Sequence, residues 1–457
     1  MQMVLKGDTS VKTLVGHKKT IPGLIYRWSD FVFPFSHLGK RYVFNNLTKR
    51  CYCIDEQTLN TEKNARFTSE SDIKQDVMDV LVADLFLVPE DKDETQLYEG
   101  FLKIARAMRR SKGYSSYTIL PTTACNARCV YCFELGYEYV SMKAETAERL
   151  IQFIIETHNP KKKVELNWFG GEPLVGEKII DKICEGLRNA GVDYTGYIVT
   201  NASLISAENI KKMQSLWNVQ EMQITLDGAE DEYNARKNYY HHYPSAYWHV
   251  LSRIKMVNEA GIFIYIRVNI DSGNIGGLRQ MFSELEPFVP DKKNVVVLLT
   301  PLFQVQESLD GLSVWNRCFD LFDFIQSLGF RLQTMSRIRE LTVQYCMADS
   351  PDRCVVIGPD GRLYPCESIE AMPSLGNIWD GVTNQELYNE LSQVEKTAEK
   401  CKGCVFLPDC TPFSKCENFL ANCKTVREKY LLFSLNRKLS QLENGAGNDT
   451  EDNQITC

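Results

Sequence analysis

The middle of the chain alternates short apolar runs with helical patterns. Six runs have the length and the β-branched or aromatic content of buried strands: YTILPTT, KVELNWFG, YIVTN, MQITLDG, FIYIRVNI and NVVVLLTPL. Amphipathic segments such as AETAERLIQFIIETHN and KIIDKICEGLRNAG separate them. Strands that alternate with helices form parallel units with right-handed crossovers. Residues 113–310 are therefore predicted to be an α/β domain, a partial (β/α)6 barrel.

The flanking regions have other patterns. In residues 1–112, IYRWSDFVFPFS and KRYVFNNLTKRCYCID predict two strands, and SDIKQDVMDVLVADLFLVP and ETQLYEGFLKIARAMRRSK predict two helices. This region reads as a small N-terminal α+β module. After the barrel we expect a helical linker over 311–345, a loop-rich, cysteine-rich cluster-binding domain over 346–430 and a polar tail over 431–457.

Composition narrows the class of protein. The chain has 457 residues, of which 44% are hydrophobic and 24% charged, as in a soluble enzyme of two or three domains. Its net charge of −7 gives no general attraction to nucleic acid or to an anionic membrane. The first twenty residues have no signal-peptide pattern, and no window nears the length of a membrane span. We therefore expect a cytoplasmic protein with neither nucleic acid nor membrane as a partner.

A cytoplasmic location changes the meaning of the 16 cysteines. Thiols stay reduced there, so ligation of metals or clusters is favoured over disulfides. Five cysteines lie outside any ligand spacing and are expected to be buried or incidental thiols: Cys51, Cys53, Cys184, Cys318 and Cys457. The other eleven form two groups.

The first group lies in one short stretch after the first barrel strand. Cys125, Cys129 and Cys132 fall within eight positions. Three thiolates on a [4Fe–4S] cube would leave its fourth iron open. Zinc is the rival ligand, but structural zinc sites have four closed ligands, and no His or fourth Cys lies nearby in the sequence. Chemistry in parallel sheets gathers at the carboxyl ends of strands, where this stretch lies.

The Cys-x3-Cys-x2-Cys spacing, with an aromatic residue before the last cysteine, resembles the cluster loop of the radical S-adenosylmethionine (AdoMet) enzymes. The next strand ends in GGEP, which looks like the family turn whose carboxylate takes the methionine ammonium. The TN and TLDG strand ends continue the resemblance, and Arg267 and Asn269 fit less specific positions. The cofactor-binding residues that the resemblance implies are Tyr131, Gly170, Gly171, Glu172, Asn201, Thr225 and Arg236.

The resemblance also implies the chemistry. In this family AdoMet chelates the vacant iron, and one electron cleaves it to methionine and a 5′-deoxyadenosyl radical, which abstracts hydrogen from the substrate. We therefore expect a [4Fe–4S] cluster, AdoMet, an external one-electron reductant and an anaerobic working life.

The second group contains eight thiols: Cys346, Cys354, Cys366, Cys401, Cys404, Cys410, Cys416 and Cys423. They could hold two closed cubes, or two or more zinc ions. Their spacing resembles the SPASM extension, which implies two auxiliary [4Fe–4S] clusters. Family interleaving would assign Cys346, Cys354, Cys366 and Cys416 to one cluster and the remaining four to the other. One step departs from the family pattern, since Ser414 stands where a cysteine is expected and the next thiol is Cys416.

Enzymes with this extension mostly act on peptides or proteins. One hypothesis is maturation of a ribosomally made peptide through a thioether or carbon–carbon crosslink, and another is an anaerobic sulfatase-maturating enzyme that forms formylglycine. Sulfatase maturases carry an Asp as the proposed base after the second SPASM cysteine, where this chain has Glu367, the predicted catalytic residue.

The N-terminal module favours peptide maturation, because sulfatase maturases largely lack it. Peptide maturases often use such a module to bind a leader segment as an added strand, although it could instead be a structural cap. A third hypothesis, from another class, is a multi-cluster electron-transfer protein. Such a protein would have no need of the GGEP turn.

Overall fold

The computed structural model describes ten stretches of the chain. These are residues 2–5, 19–54, 59–68, 70–71, 73–302, 309–333, 347–370, 372–393, 397–410 and 423–443. No helix within them is long and apolar enough to cross a membrane.

The N-terminal module contains two antiparallel sheets and two helices. Its strands are β1 (Gln2–Leu5), β2 (Tyr26–Trp28), β3 (Val32–His37), β4 (Lys40–Asn45), β5 (Arg50–Ile54), β6 (Arg66–Phe67) and β7 (Leu87–Pro89), and its helices are α1 (Gln75–Ala83) and α2 (Glu94–Arg109). The sheet orders are β1-β5-β4-β3 and β6-β2-β7.

The prediction of two strands in this module was wrong, because each apolar stretch contains a turn. Between β4 and β5 the Asn45 side chain accepts hydrogen bonds from the backbone N–H groups of Leu47 at 2.9 Å and Thr48 at 3.0 Å. This side chain stabilises a reversal of the chain direction over the mostly polar residues 45–49, a turn that the prediction did not recognise.

The barrel region follows the predicted alternation. Its strands are β8 (Ser116–Ile119), β9 (Val164–Trp168), β10 (Tyr194–Thr200), β11 (Val219–Thr225), β12 (Phe263–Ile270) and β13 (Val295–Pro301), and its helices are α3 (Ala144–Thr157), α4 (Glu177–Asn189), α5 (Ala207–Ser215), α6 (Glu230–Lys237), α7 (Ala246–Glu259) and α8 (Leu278–Leu285). These strands are parallel and lie side by side in chain order. The predicted partial barrel is confirmed.

The two faces of this sheet differ in burial. Along β10, buried and half-buried residues alternate, because successive side chains of a strand point to opposite faces. Ile198 belongs to the buried core that the helices cover. The opposite face, which we call the inner face, is half-buried and carries polar side chains: Asn167, Tyr197, Gln223, Tyr265 and Arg267.

The C-terminal third extends the same sheet. Its elements are α9 (Leu309–Ser327), β14 (Arg331–Leu332), β15 (Cys354–Ile357), β16 (Arg362–Tyr364), β17 (Gly376–Asn377), β18 (Gly381–Val382), α10 (Gln385–Leu391) and α11 (Cys423–Glu443). Strand β14 adds to β13, and β15 pairs in parallel with β8. The linker predicted over 311–345 is therefore not wholly helical, because β14 joins the sheet, and residues 334–345 lie outside the described part.

Helix α11 continues past the position where we predicted the polar tail to begin. Leu431, Leu435 and Leu439 are fully buried in one cluster with Phe35 and Phe44 of the N-terminal module. The prediction was wrong for residues 431–443, because these leucines recur at helical spacing and have a sheet to pack against. Residues 444–457 lie outside the described part.

Candidate active site

The loop that follows β8 carries the first group of cysteines. At its base the N–H of Thr123 donates to the Val140 carbonyl at 2.9 Å. Helix α6 holds its middle, since the N–H of Arg128 donates to the Lys237 carbonyl at 3.0 Å and that of Val130 to the Arg236 carbonyl at 3.1 Å. Main-chain bonds therefore fix this cluster loop on two sides.

The three thiols belong to this one loop. Cys125, Cys129 and Cys132 are half-buried and free of disulfides, and the N–H of Cys132 donates to the Cys129 carbonyl at 3.1 Å. The Cys125 sulfur accepts hydrogen bonds from the N–H of Ala127 at 3.4 Å and from the Asn201 amide at 3.9 Å. Amide donors to sulfur favour the thiolate form that ligates metals.

Burial favours the protonated form of two of these thiols. Burial raises the pKa of Cys125 to about 12, and the negative charge of Glu172 adds to the rise. Burial also raises the pKa of Cys132. Within the described stretches no three Cys, His, Asp or Glu side chains are already gathered as a metal site. A bound metal would therefore have to draw these thiols together and displace their protons.

The turn after β9 approaches the cluster loop so closely that side chains do not fit. A Cβ on Gly170 would meet the Thr122 carbonyl oxygen at 2.3 Å, and a Cβ on Gly171 would meet the Ala124 carbonyl oxygen at 2.5 Å. Gly170 also has a φ of +112°, a conformation that glycine adopts without strain. The two predicted glycines are thus explained by contact with the start of the cluster loop.

Glu172 is fully buried in the same turn. Its carboxylate accepts hydrogen bonds from the Thr200 hydroxyl at 2.7 Å, the N–H of Asn201 at 2.8 Å and the N–H of Leu174 at 3.2 Å. Burial raises the pKa of Glu172 to about 7, although these hydrogen bonds lower it. The carboxylate ties the turn after β9 to the end of β10, and its contact with a ligand stays a prediction.

Asn201 and Thr225 end neighbouring strands and point to different partners. The Asn201 amide donates to the Asn126 side-chain oxygen at 2.9 Å, which links β10 to the cluster loop. The Thr225 hydroxyl accepts a hydrogen bond from the Lys237 ammonium at 2.7 Å. The structure thus brings Asn201 next to the thiols, whereas Thr225 faces a buried lysine.

The Arg236 side chain lies against Tyr131 of the cluster loop. The Arg236 guanidinium carbon is 5.2 Å from the centre of the Tyr131 ring, and its Nη1 donates to both Asp271 oxygens, at 3.0 and 2.9 Å. Its Nε and Nη2 are buried without hydrogen-bond partners. The Tyr131 hydroxyl donates to Asp227. Arg236 therefore offers unused donors at the edge of the site.

The predicted catalytic residue has a second carboxylate as a neighbour. Burial raises the pKa of Glu367, and the positive charge of Arg267 opposes this. Glu134, in the cluster loop, is only 9% exposed, and its Oε1 is buried without a partner. Burial raises the pKa of Glu134 to about 7, and the negative charge of Glu367 adds to the rise. The two carboxyl groups therefore interact beside Arg267 of the inner face.

The second group of cysteines is described in part. Val356 of β15 pairs with Tyr364 of β16 in antiparallel register. Cys354 begins β15, and Cys366 follows the end of β16 by two residues. Cys401, Cys404 and Cys410 follow one another in a single loop. Cys346 and Cys416 lie outside the described residues, as does the side chain of Cys423.

The other cysteines are placed as follows. Cys51, Cys184 and Cys318 are buried free thiols, as expected. Cys53 is disulfide-bonded, contrary to the expectation of a free thiol. Cys457 lies outside the described residues.

Comparison with known protein families assigns the region that holds the loop and the strand ends. Residues 119–274 match the Radical SAM superfamily. These residues form a radical SAM domain. Both the cysteine loop and the GGEP turn fall within the matched residues, so the suspected class is confirmed.

Relatives of this radical SAM enzyme include proteins of archaea and bacteria. An uncharacterised protein of Methanocaldococcus jannaschii is 24% identical over 300 residues, covering 62% of this chain and 92% of that protein. The antilisterial bacteriocin subtilosin biosynthesis protein AlbA of Bacillus subtilis is 21% identical over 322 residues, covering 64% of each chain. Among solved structures, anSMEcpe with bound AdoMet has a TM-score of 0.56 at 17% identity, covering 73% of this chain and all of that one. The structural likeness shows a shared fold.

The residues present fit an iron–sulfur cluster with AdoMet. Three thiols share one loop and receive amide donors, the adjoining turn has no side chains in the way, and Arg236 has unpaired buried donors suited to a carboxylate. Cys125, Cys129 and Cys132 would hold the cluster. The chemistry that such a cluster supplies when bound is the one-electron cleavage of AdoMet.

Three residues of this radical SAM site were not among the site residues predicted from the sequence. Lys237 and Asp227 are buried and paired at 2.8 Å, and Glu134 adjoins the predicted base. Asp227 stands inside the TLDG motif, which was a usable signal. A lysine at the end of a short polar helix, or a glutamate two residues after a cysteine, is normally solvated, so the sequence pattern did not single out the other two.

Proposed function

We propose that this radical SAM enzyme is a peptide maturase that forms a thioether or carbon–carbon crosslink in a ribosomally made peptide. The observation that carries the proposal is the similarity to AlbA, which is named for the biosynthesis of a bacteriocin. A structure of the same fold, anSMEcpe, contains a Cp18Cys peptide as well as AdoMet. The half-buried polar inner face supports a substrate that hydrogen-bonds along its length, as a peptide does.

Formation of a thioether removes two hydrogens from the peptide. One leaves a carbon as a hydrogen atom and is taken by the 5′-deoxyadenosyl radical. The other leaves the thiol as a proton, and we assign its acceptance to the Glu367 carboxylate, whose partly buried position beside Arg267 suits a base. The remaining electron passes to a one-electron acceptor, for which auxiliary [4Fe–4S] clusters held by the second group of cysteines are proposed.

We also propose that the N-terminal module binds a leader segment of the peptide. Its larger sheet has two edges, β1 and β3. Pro34 lies in β3 and has no N–H to donate, and His37 of the same strand contacts Asn436 of α11 at 3.1 Å. The edge at β1 is therefore the better candidate for an added strand.

Formylglycine formation is the second candidate, favoured by the fold shared with anSMEcpe. Both reactions need a base near the substrate, and a glutamate serves as well as an aspartate if the substrate lies slightly further away. The choice between the two depends on the peptide that is turned over, so a Cys-containing precursor and a sulfatase-derived peptide should be assayed side by side.

The proposal is tested by anaerobic reconstitution of the chain with iron and sulfide. Three cubes correspond to about twelve irons per chain. Reduction in the presence of AdoMet should yield 5′-deoxyadenosine, and a precursor peptide encoded beside the gene should lose two hydrogen masses per crosslink. Deoxyadenosine with turnover of the sulfatase-derived peptide alone would support the second candidate instead.

Variants separate the two cysteine groups. Replacement of Cys125, Cys129 and Cys132 by Ala should abolish both methionine formation and peptide modification. Replacement of Cys401 or Cys404 by Ala should leave part of the AdoMet cleavage but stop crosslinking. Cys318→Ala, which removes a buried thiol outside both groups, is the control. Full crosslinking by the Cys401→Ala variant would exclude auxiliary clusters from the reaction.

A further inference from the structure

Lys237 is a fully enclosed cation under the cluster loop, with 2% of its surface exposed. Its ammonium donates to the Tyr131 hydroxyl at 2.8 Å and to the Thr225 hydroxyl at 2.7 Å, and it pairs with Asp227 at 2.8 Å. These partners belong to the loop, to the end of β11 and to the TLDG turn. A lysine is rarely buried in this way unless each of its donors has a partner.

The carboxylate that pairs with Lys237 is shared with other donors. The N–H of Asn269 donates to Asp227 at 2.7 Å, and the Tyr131 hydroxyl also donates to it. Asp227 is fully buried, so the pair is screened little by water. The negative charge is therefore spread over three donors, while the positive charge stays on one ammonium group.

The ammonium is held within electrostatic reach of the thiols. Tyr131, which it contacts, lies between Cys129 and Cys132 in the chain, and the Lys237 carbonyl accepts the N–H of Arg128 at 3.0 Å. Tyr131 and Arg128 flank Cys129 in the chain, and both contact Lys237. The positive charge is thus held against the segment of the loop that would carry a cluster.

We propose that Lys237 is a positioning residue that raises the reduction potential of the cluster held by Cys125, Cys129 and Cys132. Reduction adds one negative charge to a cluster, and a buried cation nearby stabilises that charge. The same ammonium fixes Tyr131 through its hydroxyl. This inference concerns the cofactor of the radical SAM domain and goes beyond the proposed peptide chemistry.

The test is an anaerobic redox titration of the reconstituted full chain, followed by electron paramagnetic resonance. The cluster with the open iron is recognised because its reduced signal changes when AdoMet is added. Lys237→Met, which keeps the length of the side chain but removes the charge, should shift the midpoint potential of this signal downward. Lys237→Arg keeps the charge and should restore it toward the wild-type value.

Asp227→Asn gives an independent test, because it should shift the midpoint potential in the opposite direction. This variant also keeps the inference testable if Lys237→Met fails to fold. Loss of the negative partner leaves the ammonium uncompensated, so the midpoint potential should rise. A purely structural role would shift both variants in the same direction, because both disturb the same contacts. Shifts of the same sign, or no shift in either, would overturn the inference.

Lys212→Met is the control variant. Lys212 also pairs with two carboxylates, Glu177 at 2.7 Å and Asp181 at 2.8 Å, but it lies on α5, and none of the hydrogen bonds or ion pairs described for it involves the cluster loop. Its removal should leave the midpoint potential unchanged, and an equal shift would overturn the inference. Absence of any AdoMet-dependent signal in the wild-type chain would instead contradict the proposed function, so the two failures are distinguishable.

Discussion

Glu134 shows how a single residue can make stability depend on pH. Its carboxyl group is buried in the cluster loop, and one oxygen has no hydrogen-bond partner. The negative charge of Glu367 acts on it and raises its pKa further. An unpaired buried carboxylate is costly, so the folded chain prefers the protonated form.

Glu134→Gln should remove part of the pH dependence of stability. The ordinary pKa of 4.5 rises to about 7 on folding, so the folded chain holds the proton more tightly. The associated stability is complete below pH 4.5 and is lost as the pH rises through about 7. Without metal, the variant should be more stable than wild type by about 3 kcal/mol at pH 8 and equal at pH 4.

Denaturant unfolding of the metal-free chains at the two pH values measures this difference. Glu138→Gln, which changes an exposed carboxylate of the same loop, is the control and should behave as wild type. Parallel pH curves for wild type and Glu134→Gln would contradict the assignment.

Site residues could be predicted from the sequence where their residue type has few functions in proteins. They could not be predicted where the residue type has many functions. Three cysteines within eight positions have few roles other than ligation, so the loop was found. Glu134 and Lys237 belong to types that are usually solvated, and only tertiary contacts reveal that they are buried. The predicted Glu172 was found at the site, but enclosed by hydrogen bonds from β10 that no local pattern encodes.

The turn after β9 illustrates how an element depends on close backbone contact. Gly170 and Gly171 let this turn lie against the start of the cluster loop, and Glu172 then joins it to β10. Three strand ends are thereby locked in register. The geometry of the site therefore depends on the absence of a side chain at Gly170 and Gly171 as much as on the side chains of the other residues.

Gly171→Ala should destabilise the chain and reduce AdoMet cleavage. The added Cβ would lie 2.5 Å from two backbone oxygens, which cannot move away as a flexible side chain could. We expect a loss of about 2 kcal/mol in unfolding free energy and a more than tenfold lower rate of deoxyadenosine formation. Gly100→Ala in α2 meets nothing within 4 Å and should leave both values unchanged or raise stability slightly. Equal behaviour of the two variants would contradict this explanation.

Prediction of elements worked where the pattern was long. Strands β9 to β13 have five to eight residues with buried cores, so their period and length sufficed. The two-residue strands β14, β17 and β18 carry no period, and only their pairing with neighbouring strands of the sheet defines them. The leucine pattern of α11 was readable, but the polar end of the chain was extended too far back over it.

At the scale of the whole molecule, the N-terminal module and the C-terminal third form one packed body. Leu435 of α11 is buried with Phe35 and Phe44, and Phe406, from the loop of Cys404, joins the same cluster. The Lys49 ammonium pairs with Asp409 at 2.5 Å, with both side chains almost fully buried. The module is therefore part of the architecture that holds the second group of cysteines, whether or not it also binds a leader.

Leu435→Ala should weaken this body as a whole. Removal of a fully buried leucine side chain costs about 3 kcal/mol through lost burial and the cavity left behind. Thermal unfolding should begin earlier, and iron bound by the second group should be lost before AdoMet cleavage declines. Leu38→Ala, at a side chain 75% exposed, is the control and should change neither. Unchanged iron content in a destabilised Leu435→Ala chain would show that packing of the N-terminal module does not support the loop of Cys401, Cys404 and Cys410.

The pairing of Lys49 with Asp409 joins positions 360 residues apart. A ribosome adds about 5 to 20 residues per second, so the module is synthesised tens of seconds before its buried partner exists. During that interval its apolar face and its lysine remain open to water and to chaperones. The loop of Cys401, Cys404 and Cys410, by contrast, emerges onto a surface that is already made. Metal loading should therefore follow chain order, with the cluster loop filled first and the C-terminal cysteines organised last.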